Sequence, residues 1–547
     1  MSNTQIPVVE PQESSTPKAA PVIIALLAVF VIYGILLAMG LPQRWTAAAG
    51  GHETTVEASV TEASVAEEHH DAIAAPAMWT IAPFCALLLC IAVLPLIPAT
   101  EHWWESNKNR FLVAAVLGLL ILGYYAFLHP TPVECHWPSH SVATSPCAKA
   151  GAIFINAIVG EYISFIVLLF ALFTISGGIR ISGDLKASPI VNSIILFIGA
   201  ALASFVGTTG AAMLLIRLLL DTNRERKYKV HTIIFFIFCV CNCGGCLLPI
   251  GDPPLFLGYL RGVAFLWTMS MWMQWLFINA IVIAIYFLWD SLWFYRREPR
   301  EAMAADATTR QPLRIRGLFP NLLCLIGVIL GVALLDPAKA IGGWHPWMFL
   351  REIVQLLMVV ISLAFGSYEI RKLNTFNYSA IVEVAALFFG IFICMQAPLQ
   401  ILNEKGGEIA NRAKEIGAKI GLNENQMFFW MTGSLSSVLD NAPTYVVFFE
   451  TASAAAAEEA KTDPEMAAEL DKAKEVCGVR IPLSLLVAVS LGAVMMGSMT
   501  YIGNGPNFMV KAIAEQSGVK MPSFFGYMGY SFLILLPVLI VMTLIFL

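Results

Sequence analysis

Two aspartates stand in apolar sequence where a membrane helix would exclude them. Asp252 lies in CNCGGCLLPIGDPPLF (241–256) and Asp440 in SVLDNAPTYVVF (437–448). A carboxylate in hydrocarbon is costly unless it is protonated, paired or bound to a cation. Such a group takes H⁺ or Na⁺ in competition, and that competition is the elementary chemistry of exchange. The neighbouring polar residues are oxygen ligands. Thr208 and Thr209 supply hydroxyls, and Asn242, Asn441, Asn504 and Asn507 supply amide oxygens. Hard oxygen donors suit small hard cations. We expect Na⁺ at Asp252, Asp440, Asn441 and Thr208. Each aspartate could also cap the half-helix that follows it, and the two roles are compatible.

These residues fall at four breaks: Gly207 to Gly210, Asn242 to Pro254, Asp440 to Pro443 and Gly497 to Asn507. Unwound peptide is tolerated at membrane depth only where it is buried in protein or lines a cavity. Four breaks in two matching halves therefore predict one central site, with half-helix ends lending partial charges. Glu161 and Glu383, one in each half, are candidate proton carriers or interfacial carboxylates. Glu383 could instead pair with Arg371 or Lys372. Arg217 and Arg261 are the basic residues closest in sequence to the breaks.

Other candidates carry less chemistry. Cys239, Cys241, Cys243 and Cys246 do not follow common zinc spacing and read as small packing residues. Cys135 and Cys147 flank a polar loop and could form a disulfide in an oxidising compartment. No phosphate-binding loop and no convergent nucleophile set suggests an enzyme. No cofactor is expected beyond the transported ions.

The elements that must position these groups are membrane helices. Of the 547 residues, 58% are hydrophobic and 13% charged, against about 25% charged in soluble domains. The expected fold is an all-α polytopic membrane protein: about 11 transmembrane helices plus two re-entrant hairpins, in two inverted repeats with broken helices. Its partners are the bilayer and small cations, not nucleic acid. The hairpins are expected at about 189–220 and 425–452, each half too short to span. Four divisions follow: N-terminal helices and external loops (1–150), first repeat (151–295), linker (296–316) and second repeat (317–547).

Loop charge sets orientation. The loop 221–230 has four basic residues and the linker 296–316 has six arginines, so both read as cytoplasmic. The acidic stretch 42–77 and the insertion 453–479 read as external. The first apolar run, 21–40, reads as a retained helix rather than a cleaved signal, which puts the N-terminus in the cytoplasm of a bacterial inner membrane. Residues 403–424 read as an amphipathic interfacial helix. Tryptophans at 103–104 and 267–275 suit headgroup anchoring.

The element Asn242 to Pro254 and the run Leu439 to Pro443 (LDNAP) resemble the ion transporter superfamily, and within it the NhaD-type Na⁺/H⁺ antiporter branch. The resemblance covers roughly 150–547. It implies a scaffold, a mobile transport domain and often a homodimer. Carboxylate-carrying relatives place a Ser-Asn-Thr motif in both hairpins. This chain has Thr208-Thr209 and Asp440-Asn441-Ala442 there instead, which favours cation/proton exchange. The alternative is a Na⁺- or H⁺-coupled organic-anion (citrate or dicarboxylate) or arsenite transporter.

Overall fold

The computed structural model describes residues 17–50, 75–137 and 141–547. Most of the acidic stretch 42–77 therefore lies outside the described residues. The longer helices of the N-terminal part are α1 (Ala19–Ala38), α2 (Ala82–Val93) and α3 (Asn107–Phe127), with shorter ones at Leu41–Gly50 and Pro98–Trp104. A ribbon of β1 (Val133–Cys135) and β2 (Ser141–Ala143) follows. Next, α4 (Pro146–Ser176) runs through a π-helical segment, Ile155–Tyr162, that carries Glu161.

The first broken region follows β3 (Arg180–Asp184) and comprises α5 (Pro189–Val206), α6 (Thr208–Thr222), α7 (Val230–Cys239) and α8 (Pro253–Leu260). A long helix, α9 (Trp267–Arg297), leads to the linker, where α10 (Arg300–Thr309) precedes β4 (Gln311–Arg316). Then come α11 (Leu318–Leu334), α12 (Leu350–Phe365) and α13 (Ser379–Lys419). The second broken region holds α14 (Glu424–Ser436), α15 (Asn441–Glu459), α16 (Pro464–Cys477), α17 (Leu483–Met496) and α18 (Gly505–Gln516). The chain closes on α19 (Phe524–Phe546).

Among the described residues, seven helices are long and apolar enough to cross a membrane, or eight if one bent pair near residue 95 counts as a span. The chain is a multi-pass membrane protein. The apolar runs 232–267 and 481–517 come apart at the expected breaks Asn242 to Pro254 and Gly497 to Asn507, so their pieces are short. Gly207 separates α5 from α6 with φ 79°, a conformation that glycine adopts without steric cost. Pro253 opens α8 and Pro506 is the second residue of α18, both in the first turn, where a missing N–H costs nothing.

Packing places the two broken regions back to back. The helix α6 lies against α18, and α8 lies against α15. Around them α13 packs on α3 and α15, while α11 and α12 pack on α4. The strand β3 pairs antiparallel with β4, from Arg180 opposite Arg316 to Asp184 opposite Gln311. This clasp ties the linker to the first half.

Several expectations are corrected. The first half of the first hairpin, α5, has 18 residues and is apolar enough to span alone, because its break at Gly207 comes late. The segment 403–424 is no separate interfacial helix. Up to Lys419 it continues α13, a single 41-residue helix through Pro398. Of the tryptophans at 103–104 and 267–275, Trp103 and Trp272 are exposed, but Trp104, Trp267 and Trp275 are buried, and the Trp275 indole N–H donates to the Gly244 carbonyl at 3.1 Å. Cys135 and Cys147 are both free thiols, one buried and one exposed.

Candidate functional site

Asp252 is the hub. It is 1% exposed and stands at the N-cap of α8 with extended backbone, yet its side chain makes no capping bond. Its carboxylate instead reaches three other segments. Oδ1 accepts from the Thr208 hydroxyl at 3.0 Å and from the Asn504 amide at 3.1 Å. Oδ2 accepts from the Asn441 amide at 2.6 Å. A second layer fixes these donors. Asn504 Nδ2 also lies 3.0 Å from the Cys241 carbonyl and 3.2 Å from Asn242 Oδ1. Asn242 donates to Asn507 Oδ1 at 2.8 Å, and Asn507 donates to the carbonyls of Gly497 and Thr500.

The backbone allows this convergence through two glycine contacts of the same kind. A Cβ on Gly251 would meet the Gly245 carbonyl at 2.3 Å, and one on Gly503 would meet the Gly497 carbonyl at 2.5 Å. Only a residue without a side chain lets these turns close, and each turn presents the next residue, Asp252 or Asn504, to the centre. The Thr208 amide donates to the Gly251 carbonyl at 2.8 Å, which locks the tip of α6 to the same turn.

Four helix starts meet here: Thr208 opens α6, Asp252 precedes α8, Asn441 opens α15 and Asn504 precedes α18. Helix N-termini carry partial positive charge, and Asp252 sits at their focus. No basic side chain hydrogen-bonds this cluster among the described residues. The Asn441 Oδ1 atom is buried without a hydrogen-bond partner. That leaves a spare oxygen ligand beside a carboxylate, a donor set that fits a small hard cation. A cavity of about 80 Å³ reaches Thr208 and Thr209 from between α4 and the start of α13, along Ala380, Ile381 and Val384.

The other expected site residues are placed differently. Asp440 caps its own helix, accepting from the Ala442 amide at 3.0 Å, because a carboxylate one residue before a helix start finds its free amides first. Thr209 lines the cavity rather than touching Asp252. Glu161 and Glu383 lie outside the cluster. Glu383 pairs with Arg110 at 2.9 Å, not with Arg371 or Lys372. Glu161 and Glu450 both bind Arg261, at 3.0 and 3.1 Å. Arg217 donates to the Asn374 carbonyl at 2.9 Å. The four clustered cysteines are buried in the core; Cys246 Sγ, for example, turns to the Cys243 carbonyl.

A family model described as "Putative citrate transport" matches residues 73–547. The chain belongs to this citrate transport family. No curated protein matches it. The family match begins well before residue 150, so it takes in α2 and α3 as well as the motif-bearing region. Membership agrees with the resemblance to the citrate-transporter-like superfamily and makes the chain a membrane transporter.

This citrate transport family protein also holds charged groups that sequence reading passed over. Arg226 binds Asp290 and Glu298, with His231 on the same Asp290. Arg351 binds Glu352, whose Oε1 accepts from the Ser164 hydroxyl at 2.7 Å. An available signal was their place beside or within apolar runs, where a lone charge needs a partner.

Proposed function

We propose that this transporter exchanges Na⁺ for H⁺ at Asp252. One observation carries the reading: a buried carboxylate held by neutral donors alone, with the unpartnered Asn441 oxygen beside it. Without a basic partner, the carboxylate needs a proton or a cation to be buried at low cost. Ionised Asp252 holds Na⁺ with the Thr208 hydroxyl and the Asn441 oxygen as further ligands. Protonation of Asp252 removes its charge and releases the ion. Alternating exposure then follows from movement of the two broken regions against α3, α4, α11, α12 and α13. The paired glycine turns and the reciprocal packing of α6 on α18 and α8 on α15 support reading the halves as inverted repeats.

The family match favours a second reading, citrate transport coupled to H⁺ or a cation. Four helix N-termini at one point also suit an anion, although Asp252 already occupies that focus. The two readings separate in proteoliposomes containing a pH dye. Under the first, external Na⁺ alone enters, protons leave and the lumen becomes alkaline; Asp252→Asn abolishes the signal. A response that requires citrate, with saturable uptake of radiolabelled citrate, selects the second reading. Unchanged exchange in Asp252→Asn rejects the site under either.

A further inference from the structure

A cluster of three carboxylates lies away from the central site. Asp184 ends β3, Glu225 lies in the turn after α6, and Asp306 lies on the linker helix α10. One carboxylate oxygen from each comes within 4.8 Å of the others. Ligands on opposite sides of Ca²⁺ lie up to about 5 Å apart, whereas octahedral Mg²⁺ holds them to about 4 Å. A separation of up to 4.8 Å is one that the larger ion can bridge.

Like charges brought together do not alone make a site. Here two of the oxygens are also unsatisfied. Asp184 is only 8% exposed, and its Oδ1 has no hydrogen-bond partner; buried Glu225 Oε2 has none either. A buried acceptor without a partner is costly, and each one calls for an explanation. The remaining oxygens are held in place. Asp306 Oδ1 accepts from the Ala187 amide and Oδ2 from Arg310, both at 2.9 Å. Glu225 Oε1 accepts from the Thr309 hydroxyl and from Arg224, both at 3.3 Å. Such outer contacts orient ligands around a metal. The two arginines sit at the rim, 43% and 69% exposed, where solvent screens them.

We propose that Asp184, Glu225 and Asp306 form a divalent-cation site of the calcium class that clamps the linker to the foot of α6. This site is independent of the exchange assigned to Asp252. The ion takes the two orphan oxygens and an oxygen of Asp306, and water completes its shell.

The test is calorimetric titration of CaCl₂ into chelator-treated, full-length protein in detergent, with excess NaCl. One saturable site is expected. Asp184→Asn and Glu225→Gln should each weaken it roughly tenfold or more, while Asp252→Asn leaves it in place. Hydrogen exchange of the wild type should slow on Ca²⁺ addition within 180–187, 222–228 and 300–310; this decides the matter even if a variant fails to fold. The proposal is overturned by absence of saturable heat up to millimolar Ca²⁺. Wild-type affinity in both cluster variants, or protection centred on 242–254, overturns it equally. Tighter binding of Mg²⁺ than Ca²⁺ overturns the calcium assignment.

Discussion

The two aspartates divide their work in a way that residue type alone does not announce. Each precedes a half-helix, yet only Asp440 caps one, while Asp252 turns to Thr208, Asn441 and Asn504. Two substitutions should separate them. Asp440→Ala should cost about 1 kcal/mol of stability, the loss of an N-cap, whereas Asp440→Asn should cost little; thermal unfolding in detergent reads both. Glycines give a second paired prediction. Gly251→Ala places a Cβ 2.3 Å from the Gly245 carbonyl and should destabilise by about 1–3 kcal/mol, as overpacking does. Gly505→Ala meets nothing within 4 Å and should stay within about 0.5 kcal/mol. The central residues were legible in the sequence because asparagine, threonine and aspartate are conspicuous in apolar runs. The cap was legible as an option for both aspartates; that Asp440 takes it and Asp252 does not was not legible, since it depends on one backbone turn.

At the scale of elements, buried ions mark where helices from distant parts of the chain are fastened. Arg261, just past α8, joins Glu161 on α4 to Glu450 on α15. All three are partly buried, with the carboxylates about one-fifth exposed, so removing the cation leaves two carboxylates without a partner. Arg261→Gln should cost about 2–3 kcal/mol, below the roughly 3–5 kcal/mol of a fully buried pair. Arg110→Gln should cost less than about 1 kcal/mol, because its partner Glu383 is 39% exposed and such pairs are weak. Unfolding midpoints of the two variants in the same detergent check the contrast. The helices themselves were legible from their apolar runs, and the breaks from glycine and proline. The ion partners were not, because pairing depends on which helices pack. The β3–β4 clasp was missed for a related reason: its strands are five and six residues long, and the linker half reads simply as basic and polar.

Across the whole molecule, the ion pairs lie outside the polar cluster around Asp252. At the opposite end of α3 from Arg110, burial and nearby Lys149 hold His129 below the ordinary histidine range. An unfolded histidine takes up a proton near pH 6.5, before the folded one does. The unfolded state then binds more protons, so stability falls as pH drops through about 6.5. Melting curves between pH 5 and 8 should show this fall, and His129→Gln should flatten it. The 41-residue helix α13 has a consequence of a practical kind. At 1.5 Å per residue it is about 60 Å long, twice the roughly 30 Å hydrocarbon core, and even steep tilting cannot hide it. Lys414 fastens its polar end to Glu424 and Glu459 at 3.0 and 2.6 Å. A small membrane protein usually offers an electron microscope little outside its detergent belt. Here a braced rod stands clear of it, a built-in fiducial by which single particles can be aligned.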